Sequence, residues 1–266
     1  MFVQRLISGI MLVLVLAFLL ISGGTWLWAG LFIISEIGIF ELARVFSVEK
    51  SILAAAGYIA AAAWYLNMRL SFCDDVMLII SVFLLIVLAI YVFTYPKFHF
   101  DQIGAVFFAF FYVAVMLSYI YRVRSLDQGI LLVWLVIICS WGCDTCAYCS
   151  GMLFGKHKMT PLLSPNKTIE GAVGGVLGAV ILSMIFGLCF SKQLSFSGGR
   201  IAIMAIASCA CSLLSMVGDL AASAIKRNYE IKDYGNLIPG HGGILDRFDS
   251  VIITAPLLYY ILSGGF

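Results

Sequence analysis

The sequence predicts an all-α, polytopic integral membrane protein with about nine transmembrane helices. Mean hydropathy is +1.08, and only 11% of the 266 residues are charged, whereas a soluble globular domain carries about 25%. Apolar stretches of spanning length recur along the whole chain. They lack the alternation of a membrane β-barrel, and a lipid-exposed backbone is satisfied only in a helix or a closed barrel, so helices are predicted.

Nine apolar stretches account for the predicted spans. They cover roughly 6–22, 25–45, 51–67, 76–95, 103–121, 129–149, 169–190, 200–220 and 250–264. The third and the last are short, and the second contains Glu36 and Glu41. Helical spacing places Glu41 near Arg44, which predicts an internal ion pair. The first stretch follows Arg5 but precedes no small-residue cleavage pattern, so we interpret it as a span and not as a signal peptide.

The distribution of lysine and arginine predicts the orientation in the membrane. With a cytoplasmic N-terminus, eleven basic residues lie inside: Arg5, Arg44, Lys50, Lys97, Lys156, Lys158, Lys167, Lys226, Arg227, Lys232 and Arg247. Five lie outside: Arg69, Arg122, Arg124, Lys192 and Arg200. Because basic residues concentrate in cytoplasmic loops, this orientation is favoured. It puts the two most polar loops, 150–168 and 221–249, in the cytoplasm.

Two patterns of small residues have a ligand-binding and a packing interpretation. The spacing of "CDTCAYC" resembles an iron–sulfur motif, but Leu153 stands where the fourth cysteine would be, so buried thiols are favoured. The two G-x-x-x-G pairs of "EGAVGGVLGAV" favour close helix–helix packing over direct contact with a ligand. These residues are Cys143, Cys146 and Cys149 in the first pattern, and Gly171, Gly174, Gly175 and Gly178 in the second.

A polar segment, "GKHKMTPLLSPNKTIEG", follows the span that ends near Asp144. Ser164 and Pro165 have the pattern of an N-cap and a first helical residue, which would place Lys167 in the first turn. A cation there opposes the helix dipole unless an anion binds at the same place. Lys167 is therefore a candidate phosphate ligand, and an ordinary loop lysine is the alternative.

Charge concentrates further between residues 219 and 249. Nine charged residues lie there: Asp219, Lys226, Arg227, Glu230, Lys232, Asp233, Asp246, Arg247 and Asp249. Each would cost roughly 2.5–3.5 kcal/mol at the bilayer centre, so this segment cannot face lipid. Asp219 and Ser223 share a helical face, as do Asp246 and Asp249 if their helix begins at about Leu245.

These residue types together suit phosphate chemistry. Carboxylates from two helices can hold a hard cation, and basic side chains beside them can hold an anion. The glycines of the intervening loop allow close approach of its backbone to a ligand. Such a combination is what phosphoryl chemistry with Mg²⁺ requires, although a salt-bridged cytoplasmic loop is the alternative. The loop residues concerned are Gly235, Pro239, Gly240, Gly242 and Gly243.

The run "SAIKRNYEIKDYGNLIPGHGGILDRFD", 223–249, resembles the signature of the phosphatidate cytidylyltransferase, or CDP-diacylglycerol synthase, family. That signature contains Ser, Lys-Arg, Lys-Asp, His-Gly-Gly and Asp-Arg-x-Asp at fixed spacing, and all of these are present. The upstream "FGKHK" and "SPNKT-EG" are also similar, so the resemblance covers roughly 140–250. Met152 departs from it, because relatives often carry a basic residue there.

The resemblance implies that CTP and phosphatidate react to give CDP-diacylglycerol and pyrophosphate, with Mg²⁺ and with or without a second cation. The expected catalytic residues are Asp144, Lys167, Asp219 and Asp246. The expected metal ligands are Asp219, Asp246 and Asp249. The expected substrate-binding residues are Ser223, Lys226, Arg227, His241 and Arg247, although a lone histidine such as His241 can equally be structural.

The two substrates also suggest where the site lies. CTP arrives from the cytoplasm and phosphatidate keeps its acyl chains in lipid, so we expect a multi-pass protein of the inner membrane whose cavity opens sideways into the bilayer, on the cytoplasmic side. Residues 129–266 would form the catalytic region. Residues 1–128 would form a lipid gate or a homodimer contact. We expect no nucleic-acid partner.

Other functions remain as alternatives. An ion-coupled transporter also places carboxylates in a membrane cavity, but it predicts inverted repeats, which the concentration of charge in the C-terminal half does not suggest. A CTP-dependent lipid-alcohol kinase would transfer the γ-phosphate instead of the cytidylyl group. A CDP-alcohol phosphotransferase would carry its own aspartate-rich motif, which this sequence lacks.

Overall fold

The chain is almost entirely helical in a computed structural model that describes residues 2–194 and 198–264. Its helices are α1 (Phe2–Ser22), α2 (Gly24–Val45), α3 (Ile52–Leu70), α4 (Val76–Phe93), α5 (Phe100–Ala109), α6 (Tyr119–Arg124), α7 (Gly129–Ile137), α8 (Cys143–Phe154), α9 (Ile169–Cys189), α10 (Ser191–Leu194), α11 (Gly198–Asn228) and α12 (Leu245–Ser263). Two π-helical turns, Phe110–Val115 and Ile138–Gly142, precede α6 and α8. The prediction of an all-α membrane protein is confirmed.

Seven helical segments among the described residues are long and apolar enough to cross a membrane. They are Gln4–Ser22, Gly24–Val45, Val76–Phe93, Phe100–Arg124, Gly129–Phe154, Ile169–Cys189 and Ile201–Asn228. The predicted count of nine is therefore not confirmed. The other two predicted spans do form helices, α3 and α12, but neither is among the seven.

The chain divides into two compact units. The first contains the described residues up to 118 together with 233–246, and the second contains those of 119–232 together with 247 onward. In the first unit, α2, α3, α5 and the π-helical turn at 110–115 pack on one another. Leu27, Tyr65 and Phe110 are fully buried there, and the indole of Trp64 donates a hydrogen bond to the Ser118 hydroxyl at 3.1 Å.

The second unit is built around α8, α9 and α11. Helix α9 packs against both of the others, and Cys143, Ala179 and Met216 form a small buried cluster between them. The glycines of α9 make this packing possible. A Cβ atom at Gly174 would overlap Ser150, and one at Gly178 would overlap Cys146. The structure thus places both glycines at the α8–α9 contact, as the packing interpretation predicts.

The start of α9 differs from the prediction. A two-stranded antiparallel hairpin, β1 (Lys158–Thr160) and β2 (Ser164–Thr168), precedes the helix. Thr168 is the N-cap, and its hydroxyl accepts a hydrogen bond from the Gly171 amide at 3.1 Å. The prediction of an N-cap at Ser164 is therefore wrong, because strand pairing satisfies the backbone of this segment. Lys167 lies in β2 and not in a helical turn.

The end of α11 also differs from the prediction. This helix continues to Asn228, about two turns beyond the predicted end of its span. Ser223, Lys226 and Arg227 are therefore helical residues and not loop residues. Helical spacing places them on or next to the face that carries Asp219. By contrast, the predicted start of the last helix at about Leu245 is confirmed.

Candidate active site

A cavity of about 430 Å³ lies in the second unit, between α8, the β-hairpin, α9 and α11. Three charged residues that the sequence singled out line it: Asp144 from α8, Lys167 from β2 and Asp219 from α11. Met152, the departure from the family signature, lines the same cavity. The cavity has the mixture of apolar walls and a few converging polar groups that is typical of ligand-binding sites.

An ion pair joins two of these residues. The ammonium group of Lys167 contacts the Asp219 carboxylate, and both side chains are about three-quarters buried. Partial burial makes such a pair stronger than one at the surface, because solvent screens it less. The hairpin therefore places Lys167 in contact with Asp219, which lies 52 positions later in the chain.

Two further carboxylates lie close to this pair. The Asp144 carboxylate accepts a hydrogen bond from the Ser250 hydroxyl at 3.3 Å, and its charge interacts with those of Asp219 and Lys167. Asp249 is only 7% exposed and interacts electrostatically with both Asp144 and Asp219. Three carboxylates from α8, α11 and α12 thus converge within the second unit.

The predicted anion-binding side chains of the second unit have different surroundings. The charge of Lys226 acts on Asp249, and the charge of Arg247 acts on Asp144. Arg227 is exposed, and its Nε donates a hydrogen bond to the Leu163 carbonyl in the hairpin turn at 3.3 Å. Ser223 is partly buried one helical turn after Asp219. Lys226 and Arg247 therefore surround the carboxylates, whereas Arg227 holds the hairpin.

The loop that contains the His-Gly-Gly motif, residues 233–244, belongs to the first unit. His241 is fixed by α1: its Nδ1 lies 2.8 Å from the Ser8 hydroxyl. The same hydroxyl lies 3.0 Å from the Pro239 carbonyl. When Ser8 donates its single hydrogen to that carbonyl, the ring must donate its Nδ1–H to Ser8. This arrangement holds one edge of the imidazole and directs Nε2 away from Ser8.

Asp246 closes the same loop. Its Oδ2 accepts hydrogen bonds from the amides of Tyr234, at 2.8 Å, and Gly243, at 2.9 Å. Gly242 has a φ of 85°, and a Cβ there would overlap this carboxylate oxygen. The glycines therefore allow the loop backbone to approach Asp246, a carboxylate of the protein itself. The sequence predicted such a close approach to a ligand.

The residue set suits a hard divalent cation in its chemistry. The candidate ligands are all carboxylates, the oxygen donors that such cations prefer. The two amides on Asp246 fix the orientation of its carboxylate, as neighbouring hydrogen bonds do for metal ligands. In the part of the chain that the structure describes, no three His, Cys, Asp or Glu side chains surround a single metal position. The three cysteines of "CDTCAYC" are free thiols.

Sequence reasoning missed two residues that contact the candidate site residues, Ser250 and Ser8. Ser250 directly follows Asp249, the last residue of the signature, so its position in the sequence could have identified it as a residue of the site. Ser8 lies 233 positions before His241, and a hydroxyl in an apolar span gave no indication of this contact. The charge of Arg44 acts on Glu41, as the predicted pair implies, but the hydrogen bonds of both side chains go to the backbone of 234–245.

Comparisons with known proteins give a consistent result along the whole chain. Residues 3–264 match the model of the cytidylyltransferase family. A phosphatidate cytidylyltransferase of Bacillus subtilis is 33% identical over 266 residues, which cover 98% of this chain and 97% of the relative. Relatives with the same name from Staphylococcus epidermidis and Staphylococcus aureus are each 31% identical, with 97% of this chain and 98% of the relative covered.

Proposed function

Because the chain belongs to the cytidylyltransferase family, we propose that it transfers the cytidylyl group of CTP to phosphatidate. The products are CDP-diacylglycerol and pyrophosphate. The observation that carries the proposal is the full-length match to relatives named phosphatidate cytidylyltransferase. The cavity with Asp144, Lys167 and Asp219 supports it, since it combines two carboxylates from apolar helices with a cation from the adjoining hairpin.

The reaction requires charge neutralisation more than proton transfer. An oxygen of the phosphatidate phosphate forms a bond to the α-phosphorus of CTP. The bond from that phosphorus to the oxygen it shares with the β-phosphorus breaks, and this oxygen leaves as a terminal oxygen of pyrophosphate. The attacking oxygen is already anionic, so no strong general base is needed. The protein must instead hold two anions in line, which favours fixed positive charges around the phosphates.

The side chains of the second unit would provide most of that charge. Lys167 would exchange its contact with Asp219 for a phosphate oxygen of the bound nucleotide. Lys226 and Arg247 would balance the remaining negative charge, and Ser223 would donate a hydrogen bond. Arg227 would contact a phosphate or keep the hairpin in place. In the first unit, His241 would bind the pyrophosphate through Nε2.

We also propose that the reaction depends on Mg²⁺. Asp219, Asp246 and Asp249 would hold it, and Asp144 would hold either the metal or the nucleotide. When bound, the ion would neutralise charge on the phosphate oxygens. A second cation is part of the same proposal, and transfer measured with Mg²⁺ alone would show whether it is needed.

The chain is a multi-pass membrane protein, and we propose that its active site faces the cytoplasm of a bacterial inner membrane. The excess of lysine and arginine in the segments assigned to that side supports this orientation. CTP would enter from the water phase, while phosphatidate would reach the site from the bilayer. A homodimer contact through the N-terminal helices remains part of this proposal.

Radiolabelled CTP tests the proposed reaction directly. Purified protein in mixed micelles of detergent and phosphatidate is supplied with CTP labelled at either the α- or the γ-phosphorus, with Mg²⁺ present. We expect the α label to enter the lipid fraction and the γ label to leave as pyrophosphate. Transfer of the γ label alone would indicate a lipid kinase, and no transfer of either label would favour a transporter.

A further inference from the structure

Glu41 is a buried carboxylate near the C-terminal end of an apolar helix, α2. Only 3% of the surface of this residue is exposed. A carboxylate in such a place is costly unless hydrogen bonds compensate for the lost water. Its partners therefore show what it does in the fold.

The partners of Glu41 are the amides of Ile244, the residue just before α12, and Leu245, the first residue of that helix. Its Oε1 accepts a hydrogen bond from the Ile244 amide at 3.0 Å, and its Oε2 accepts one from the Leu245 amide at 2.9 Å. The first amides of a helix have no carbonyl partner within the helix. A negative charge at this end is also favourable for the helix dipole, and charge-assisted hydrogen bonds are strong. Glu41 thus caps α12 from a distant helix.

Two glycines of the loop leave the space that this carboxylate occupies. A Cβ atom at either Gly235 or Gly243 would overlap the carboxylate of Glu41. Neither glycine has a positive φ, in contrast to Gly240 and Gly242. The absence of a side chain at 235 and 243 is therefore required by the position of Glu41 and not by backbone conformation.

The turn that Glu41 caps contains Asp246. The carboxylates of Glu41 and Asp246 both lie next to one residue, Gly243. Gly243 donates its amide to Asp246, while its Cα lies against Glu41. One turn along α2, Arg44 donates a hydrogen bond to the Tyr234 carbonyl at 2.6 Å, and the Tyr234 amide in turn binds Asp246. Two side chains of α2 thus bind backbone groups next to the two amides that orient Asp246.

We propose that Glu41 is a positioning residue for cytidylyl transfer: it fixes the first turn of α12 and, through that turn, the carboxylate of Asp246. The proposal rests on the proposed function, because it takes Asp246 as a ligand of the metal. Glu41 itself does not touch the substrates. It acts through the Ile244 and Leu245 amides.

The test begins with Glu41→Gln, which keeps the size of the side chain. A glutamine oxygen can accept one of the two amides, but its amide group is a donor and cannot accept the other. We expect hydrogen exchange at the Ile244 and Leu245 amides to become about ten- to a hundredfold faster. We also expect the Mg²⁺ concentration for half-maximal activity to rise by about tenfold or more, with a smaller change in KM for CTP.

Glu36→Gln provides the matched control, because Glu36 lies on the same helix and its Oε1 has no hydrogen-bond partner. We expect this variant to leave exchange at 244 and 245 and the Mg²⁺ dependence unchanged. Unchanged exchange in Glu41→Gln would overturn the inference. So would faster exchange with an unaltered Mg²⁺ requirement, because Glu41 would then stabilise the loop without positioning Asp246.

A double-mutant cycle tests the link between Glu41 and Gly243. Gly243→Ala alone should lower activity, because its Cβ displaces the Glu41 carboxylate. In a Glu41→Ala background, the same substitution should cause little further loss, since the overlapping group is gone. Additive losses would overturn the inference. If the wild-type protein itself transferred no cytidylyl group, the proposed function would fail, whereas the exchange measurements would still test the cap.

Discussion

Lys167 on β2 forms an ion pair with Asp219 on α11, so the β-hairpin is connected to the helix that begins the family signature. The pair explains why a short hairpin interrupts a chain that is otherwise helical. Strand pairing fixes the direction of the Lys167 side chain, which a loop would leave free. A positive charge is thereby held beside a group of carboxylates before any substrate binds.

Replacing Lys167 should remove activity more than stability. We expect Lys167→Ala to lower kcat/KM for CTP by about a hundredfold or more, because a fixed positive charge at the transferred phosphate is lost. Pyrophosphate release measures this effect. Lys156→Ala is the matched control, since Lys156 is exposed on the same segment, and it should retain near-normal turnover. Full activity in Lys167→Ala would exclude a catalytic role for this residue.

Asp246→Asn should abolish transfer in a protein that still folds. The remaining carbonyl oxygen can still accept the Tyr234 and Gly243 amides, so the melting temperature in detergent should change little. Activity should fall to about one hundredth or less, because the negative charge that would hold Mg²⁺ is gone.

Glu230→Gln serves as the comparison for this experiment, because Glu230 is an exposed carboxylate shortly before the loop and is not one of the signature residues. It should behave like the wild type in both measurements. If Asp246→Asn turned over at a near-normal rate, Asp246 would have to be removed from the proposed metal ligands.

Ser8→Ala should impair catalysis although Ser8 lies in the first helix. The substitution removes the group that holds Nδ1 of His241, so we expect KM for CTP to rise several-fold. Ser8→Thr keeps the hydroxyl and should restore much of the loss. Ser22→Ala, at the exposed end of the same helix, should change nothing. An effect of equal size in the alanine and threonine variants would argue against the hydroxyl as the cause.

The α8–α9 contact should be sensitive to one methyl group. Gly174→Ala places a Cβ atom against Ser150, and overpacking of this kind costs about 1–3 kcal/mol. We expect a lower melting temperature, and we expect Ser150→Gly to recover part of it in the double variant. Gly104→Ala is the control, because no atom lies within 4 Å of a Cβ at that helical position. Equal melting temperatures for Gly174→Ala and the wild type would contradict the packing argument.

The sequence predicted the existence of the helices well, because an apolar stretch of spanning length satisfies its backbone in lipid only as a helix. All nine apolar stretches are helices, including α3 and α12, which fall outside the seven clear spans. Local polar signals were less reliable. Ser164 and Pro165 have the pattern of a helix start, but the pairing of β2 with β1 depends on a partner strand that the local pattern does not reveal.

The partners of the buried charges could not be predicted from the sequence. Glu41 was assigned to Arg44, three residues away, because helical spacing detects only neighbours along one helix. The charge of Arg44 does act on Glu41, but its hydrogen-bond partners are the amides of residues 203 and 204 positions later. The convergence of Asp144 with Asp249 and Ser250 likewise depends on packing between separate helices. The signature identified which residues matter, but not which of them touch.

The return of residues 233–246 to the N-terminal unit has a consequence for biosynthesis. Helices α1 and α2 leave the ribosome first. Until the loop is translated, Glu41 lacks the Ile244 and Leu245 amides, and Ser8 lacks its contacts with Pro239 and His241. A nascent chain therefore carries the Glu41 side chain without these two hydrogen bonds through most of its synthesis. Assembly of this region is complete only when the start of the last helix has been made, so a chain that stops before residue 244 leaves the first unit without the loop that Glu41 and Ser8 bind.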